Sequence, residues 1–155
     1  VRPFRSETER YGEYSKAGEY VFDHPFLWGS KRTGPDLHRV GGKYPNAWHY
    51  NHMEDPRTTS PNSIMPAYPW LITQKLDLSP LPARIKALRT TGVPYEPGYE
   101  SKAIADAEAQ AKLVVAGLKT GSIDAPPDRE IIALIAYLQR LGTDIKAAPT
   151  VASAQ

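Results

Sequence analysis

The sequence contains no cysteine. Disulfides, thiolate metal sites and thiol nucleophiles are therefore excluded within its 155 residues, and the redox compartment is left open. No apolar run approaches the roughly 20 residues that a membrane helix requires. There is no signal-peptide pattern either, so any membrane attachment is expected to lie outside this chain. An excess of one charge is also missing: 19 lysines and arginines face 17 acids, for a net charge of +2. A nucleic-acid partner is not expected from that balance, because a phosphate-binding domain shows a strong basic excess. No stretch alternates apolar and polar residues with period two, which leaves an all-α fold class. The chain opens on Val1 rather than methionine, and so reads as a fragment of a longer product.

Fifteen prolines and eleven glycines are present, so long loops are expected to take much of the length. Residues 1–23 interleave glutamates and tyrosines, with room for a helical turn or two between Glu7 and Tyr20. The run from His24 to Gly42 reads as ordered loop. A short helix is predicted from Asn46 as N-cap to about Met53, stopped by Pro56. Four prolines between 56 and 70 exclude a regular element there. Ser79 is placed to cap a helix carrying Leu81, Ile85 and Leu88, with Gly92 just past its end. Ile104, Ala107, Ala111, Val114 and Leu118 recur at spacings of three and four, predicting a helix over 100–119 that ends near Gly121. A last helix over 128–142 carries the strongest stripe: Ile131, Leu134, Ile135, Leu138 and Leu141, with Gly142 at its C-terminus. The stripe is expected to pack on Ile104, Ala111, Val114 and Leu118 of this chain or of a second copy in a homodimer. One domain is expected over 1–143, with 74–127 as a helical insertion and 144–155 as a flexible tail.

Three features follow one another: Gly34-Pro35-Asp36-Leu37, Met65-Pro66 within NSIMPAYPW, and the final helix EIIALIAYLQRLG. Each alone is ordinary, as a turn, a packing methionine and a core helix. In this order they resemble a single-haem cytochrome c domain. A narrower resemblance runs through VRPFRSETERYGEYS, DHPFLWGSKRTGPDLHRVGGKY, WH, DPR and MPAYPWL, which are similar to the cytochrome subunit of cbb3-type oxidases, the CcoO or FixO family.

The resemblance implies a cytochrome c-like, all-α fold with long loops that lacks the CxxCH segment, which the family places directly before VRPF. It implies haem c in the intact protein, with Met65 as the distal iron ligand. Pro35 would lie on the proximal side, its carbonyl orienting the histidine's ring N–H. A thioether sulfur suits low-spin iron and raises its potential; the hydrogen bond to the histidine tunes the same centre. Trp28, Tyr68 and Trp70 are candidates for the haem edge, or for ordinary packing. Arg32, Arg39 and Arg57 are candidates for the propionates, because guanidinium pairs bidentately with carboxylate, or for solvated surface. Without cysteine or a proximal histidine in context, the chain as it stands is expected to carry no haem.

The implied function is electron transfer from a donor cytochrome to the haem–copper subunit that reduces oxygen. The implied place is the periplasmic side of a bacterial inner membrane, held by a helix outside the chain. The other cytochrome c subunits of the complex would be partners, and Ser30 and Lys31 would lie near the catalytic subunit. The chain holds no catalytic centre of its own. A haem-free module docking on a membrane partner is the alternative; a hydrolase would rest only on scattered His, Ser and Asp. His49 and His52, three apart on one helix, form a weak candidate pair for a metal. Lys102, Lys112 and Lys119 read as a solvated helix face.

Overall fold

The computed structural model describes residues 5–14, 16–22 and 34–143. Six α-helices are found among them: α1 (Arg5–Tyr11), α2 (Asn46–Glu54), α3 (Trp70–Thr73), α4 (Leu81–Thr90), α5 (Ala103–Thr120) and α6 (Glu130–Arg140). Short 3-10 turns occupy Ala17–Tyr20, Pro56–Thr58 and Tyr99–Ser101. The described residues contain no strand and a single antiparallel bridge, Lys75 with Arg129. The all-α expectation is met. The chain divides into two compact units, one of residues 1–43 with 138–155, the other of residues 44–137. The expected tail at 144–155 lies outside the described residues.

The second unit is built on one apolar cluster. Ile131, Ile132 and Ile135 of α6 meet Val114 and Leu118 of α5, with Ala125 completing the buried set and Ala111 packed against it. Ile131, Ile135 and Leu118 have no solvent exposure. At about 1.5–3 kcal/mol per large aliphatic side chain, this burial is the largest stabilising contribution available to a unit of this size. Ile131 and Ile135 of the stripe are thus covered within the chain by the predicted residues Ala111, Val114 and Leu118; Leu138 is buried outside the cluster, and Leu134, Leu141 and Ile104 stay half-buried outside it. Ile132, off the predicted stripe, is also buried.

Local caps give way to tertiary partners. Asn46 is the first residue of α2 and not its N-cap; Pro45 precedes the helix without a side-chain cap. The Asn46 amide instead donates to the Val114 carbonyl on α5, 3.3 Å away. Ser79 does not cap α4 either: its backbone N–H donates to Asp77 Oδ1 at 2.9 Å, and Pro80 is the N-cap. Pro82, in the first turn, brings no N–H, so fewer donors need a cap. Gly92 behaves as predicted, with φ 96° and a bond from Val93 N–H to the Leu88 carbonyl. Leu88 itself remains exposed. In the last turn of α4, Arg89 pairs bidentately with Glu100 at 2.9 and 3.1 Å, fixing the turn at Tyr99–Ser101.

α5 ends at Thr120 with Gly121 as its C-cap, as predicted. Gly121 has φ −94°, and the left-handed position falls on Ser122, with φ 61°. Gly121 is needed for a different reason. A Cβ there would lie 2.6 Å from the Ala47 Cβ, and one on Gly117 would lie 2.6 Å from Asn46 Nδ2. Four residues apart, the two glycines share one face of α5 and let α2 approach its backbone.

On α2 the aromatic residues stack in a row. Tyr44 lies on Trp48 with ring centroids 4.1 Å apart, and Trp48 on His52 at 4.5 Å. His49 meets Tyr44 and Trp48 edge-on and is 2% exposed, and its Nε2 has no hydrogen-bond partner. Burial, and then the nearby His52, hold its pKa below the ordinary 6.5.

Two outcomes follow. Gly121→Ala should destabilise by about 1–3 kcal/mol through overpacking against Ala47, whereas Ser122→Gly should stabilise by up to about 1 kcal/mol by relieving the left-handed strain; urea titrations of both variants check the opposite signs. Because folding lowers the His49 pKa, the unfolded chain binds the extra proton first. Stability is then full above pH 6.5 and falls as the pH drops through and below that value. Thermal melts between pH 7.5 and 5 should show this loss, and His49→Phe should reduce it.

Candidate functional site

Met65 sits on an irregular loop that is pinned at both ends. Asp55 starts the turn Pro56–Thr58, its Oδ1 accepting from Arg57 N–H at 3.2 Å and from Arg57 Nη1 at 2.9 Å. The Arg57 backbone N–H first, and then its guanidinium, hold the Asp55 carboxyl below the usual range. Thr59 Oγ1 bonds His52 Nδ1 at 2.5 Å, joining the loop to α2. Ser63 then accepts the Met65 N–H on its hydroxyl at 3.2 Å, and Tyr68 N–H donates to the Met53 carbonyl at 2.8 Å, returning the chain to the end of α2. Met65 is half-buried, while the adjacent Ile64 is 92% exposed. Tyr68 and Trp70 follow at once, in edge contact at 5.2 Å, with Trp70 exposed. Met65, Arg57, Tyr68 and Trp70 therefore all belong to the second unit.

Pro35 and Arg39 belong to the first unit. Pro35 is exposed, and the residues after it turn inward: Asp36, His38, Arg39 and Val40 are all buried. Asp36 Oδ1 accepts from His38 N–H at 3.1 Å. His38 Nδ1 also lies 2.9 Å from that oxygen, without the alignment of a hydrogen bond. Arg39 directs its guanidinium within the chain, not outward to an acidic ligand. Its Nη1 and Nη2 donate to the two Glu19 oxygens at 2.5 and 2.7 Å, and its Nε to the Glu13 carbonyl at 3.0 Å. The Arg39 fork holds the Glu19 carboxyl below the ordinary carboxylate range. Glu19 carries no signal in the sequence: an acid 20 positions before its partner belongs to no local pattern.

The remaining candidates separate plainly. Trp28, Ser30, Lys31 and Arg32 lie outside the described residues. His49 and His52 share a helix, but among the described residues no group of three or more His, Asp or Glu is placed to hold a metal ion. Lys102, Lys112 and Lys119 are exposed, as a solvated face requires. No helix among the described residues is long and apolar enough to cross a membrane.

The Met65 thioether, on a loop anchored before and after it, is neutral and soft, which is the donor chemistry that haem iron accepts. The thioether links of haem c have no counterpart within the chain, which has no cysteine. The chain matches no curated protein. Over residues 1–145 it matches the family described as cytochrome c oxidase, mono-heme subunit/FixO. A match across that much of the sequence takes in the Pro35 turn, the Met65 loop and α6 together, and the chain belongs to the FixO family of mono-haem cytochrome c oxidase subunits.

Proposed function

We propose that this chain carries electrons from a donor cytochrome to the haem–copper subunit of a cbb3-type oxidase, on the periplasmic side of the membrane. Membership of a family of cytochrome c oxidase subunits gives it an electron-transfer role. The observation that carries the finer reading is the loop holding Met65, fixed by Ser63 on one side and by the Tyr68–Met53 bond on the other. A weak thioether ligand stays on iron only if its loop does not have to be ordered on binding, and anchoring before and after the residue meets that need.

In this reading haem c supplies the one-electron centre, its attachment cysteines and proximal histidine coming from outside these residues. Met65 would offer its thioether to the iron and Pro35 its carbonyl to the proximal histidine, while Tyr68 and Trp70 would shield the haem edge, the role also proposed for Trp28. Arg57, exposed beside Asp55, is better placed for a propionate than Arg39, whose fork is on Glu19. Ser30 and Lys31 would face the catalytic subunit.

Met65→Leu in the full-length membrane protein tests the reading. Covalent attachment should retain the haem, but the methionine-to-iron charge-transfer band should vanish and the reduction potential should fall. Electron transfer from the donor should slow by about tenfold or more. Unchanged spectra would exclude Met65 as a ligand; a full-length protein without c-type absorbance would favour the haem-free docking module.

A further inference from the structure

We infer that the Glu19–Arg39 ion pair is a positioning device for the turn at Gly34–Leu37, and through it for the Pro35 carbonyl. The inference rests on the proposed function for the role of that carbonyl; the device itself is built from contacts within the first unit.

The segment after Pro35 is anchored at every buried residue. Asp36 closes the turn on the His38 N–H. Three Arg39 nitrogens bond Glu13 and Glu19, and the Arg39 side chain is only 4% exposed. Glu19 is fixed in turn, because its Oε1 also accepts from the Lys16 backbone N–H at 2.8 Å. Gly41 N–H donates to the Leu141 carbonyl at 3.0 Å, and Gly42 N–H to Gln139 Oε1 at 2.9 Å. Gly142 completes the clasp. Its φ is 72°, and a Cβ there would lie 2.4 Å from the His38 carbonyl oxygen.

Stability alone is a poor reason for such a pair. Withdrawing the Arg39 guanidinium from water carries a desolvation penalty that Glu19, with 24% of its side chain exposed, offsets only in part, and apolar residues of similar volume commonly hold a fold as well. A planar fork on a carboxylate supplies something they do not, a fixed orientation through two parallel bonds. Here that orientation is imposed four residues after Pro35, on a turn whose buried residues have little freedom left. Within the turn Asp36 is buried, and Pro35 is exposed together with Gly34 and Leu37. Small displacements of a group that hydrogen-bonds a metal's ligand alter the metal's properties, so a rigid mount for Pro35 has a functional consequence.

The test uses the intact haem-bearing subunit. Glu19→Gln and Arg39→Lys should each shift the reduction potential, read as about a tenfold change in the equilibrium for electron exchange with a fixed donor. Haem content and the methionine-to-iron band should stay as in the unmodified protein. Arg39→Lys keeps the charge and loses the fork, so an equal shift identifies geometry as the cause. Arg89→Lys, which loses the fork on Glu100 in the other unit, should leave the potential unaltered. Should Glu19→Gln fail to accumulate, Glu19→Asp keeps the charge with a shorter reach, and a partial shift supports the inference. An unaltered potential in these variants, with haem and axial ligands intact, overturns the positioning role while leaving electron transfer standing. An unmodified subunit without c-type haem overturns both.

Discussion

The apolar face of α6 has to be covered, and the second unit is arranged around that requirement. Ile131, Ile132 and Ile135 are too large and too closely spaced to remain in water. α5 covers them with Val114, Leu118 and the small Ala111. Its opposite demand, the close approach of α2, is met by Gly117 and Gly121. One helix thus presents an aliphatic face to α6 and a backbone-smooth face to α2. The position of α2 in turn sets that of the Met65 loop, because Thr59 and Tyr68 both bond back to α2.

Two kinds of anchor hold the candidate functional loops. Around Met65 they are single hydrogen bonds to hydroxyls and carbonyls, each contributing about 0.5–1.5 kcal/mol. Around Pro35 they include a charged fork on the buried Arg39 guanidinium, with the Gly142 backbone close against Arg39. The difference suits the roles proposed. A methionine ligand is itself flexible and adapts to small errors in its loop. A carbonyl that orients another ligand has no such freedom, since its direction is fixed by the backbone.

A subunit of this family moves electrons without making or breaking bonds, so no nucleophile and base need be brought together. What such a protein contributes is placement: an axial donor, a second hydrogen bond, a polar environment for the propionates and a surface for the next carrier. The residues proposed for these roles are ordinary in type and scattered in sequence. They are recognised by order and context rather than by any one motif, and this explains why the whole-length family match says more than Met65-Pro66 alone.

The sequence by itself determined the helical class, the α5 and α6 stripes, the Gly92 terminus and the family, through WGSKRTGPDL and the order of Pro35, Met65 and the last helix. Periodicity and adjacent residues carry those signals, and local chemistry is enough to read them. Tertiary structure alone decided that Asn46 bonds α5 instead of capping α2, and that Gly121 is demanded by Ala47 while Ser122 takes the left-handed position. It alone turned Arg39 from a surface candidate into the buried partner of Glu19. In each case a donor or a close contact is satisfied by a residue 20 or more positions away, and no local pattern specifies which distant group will arrive.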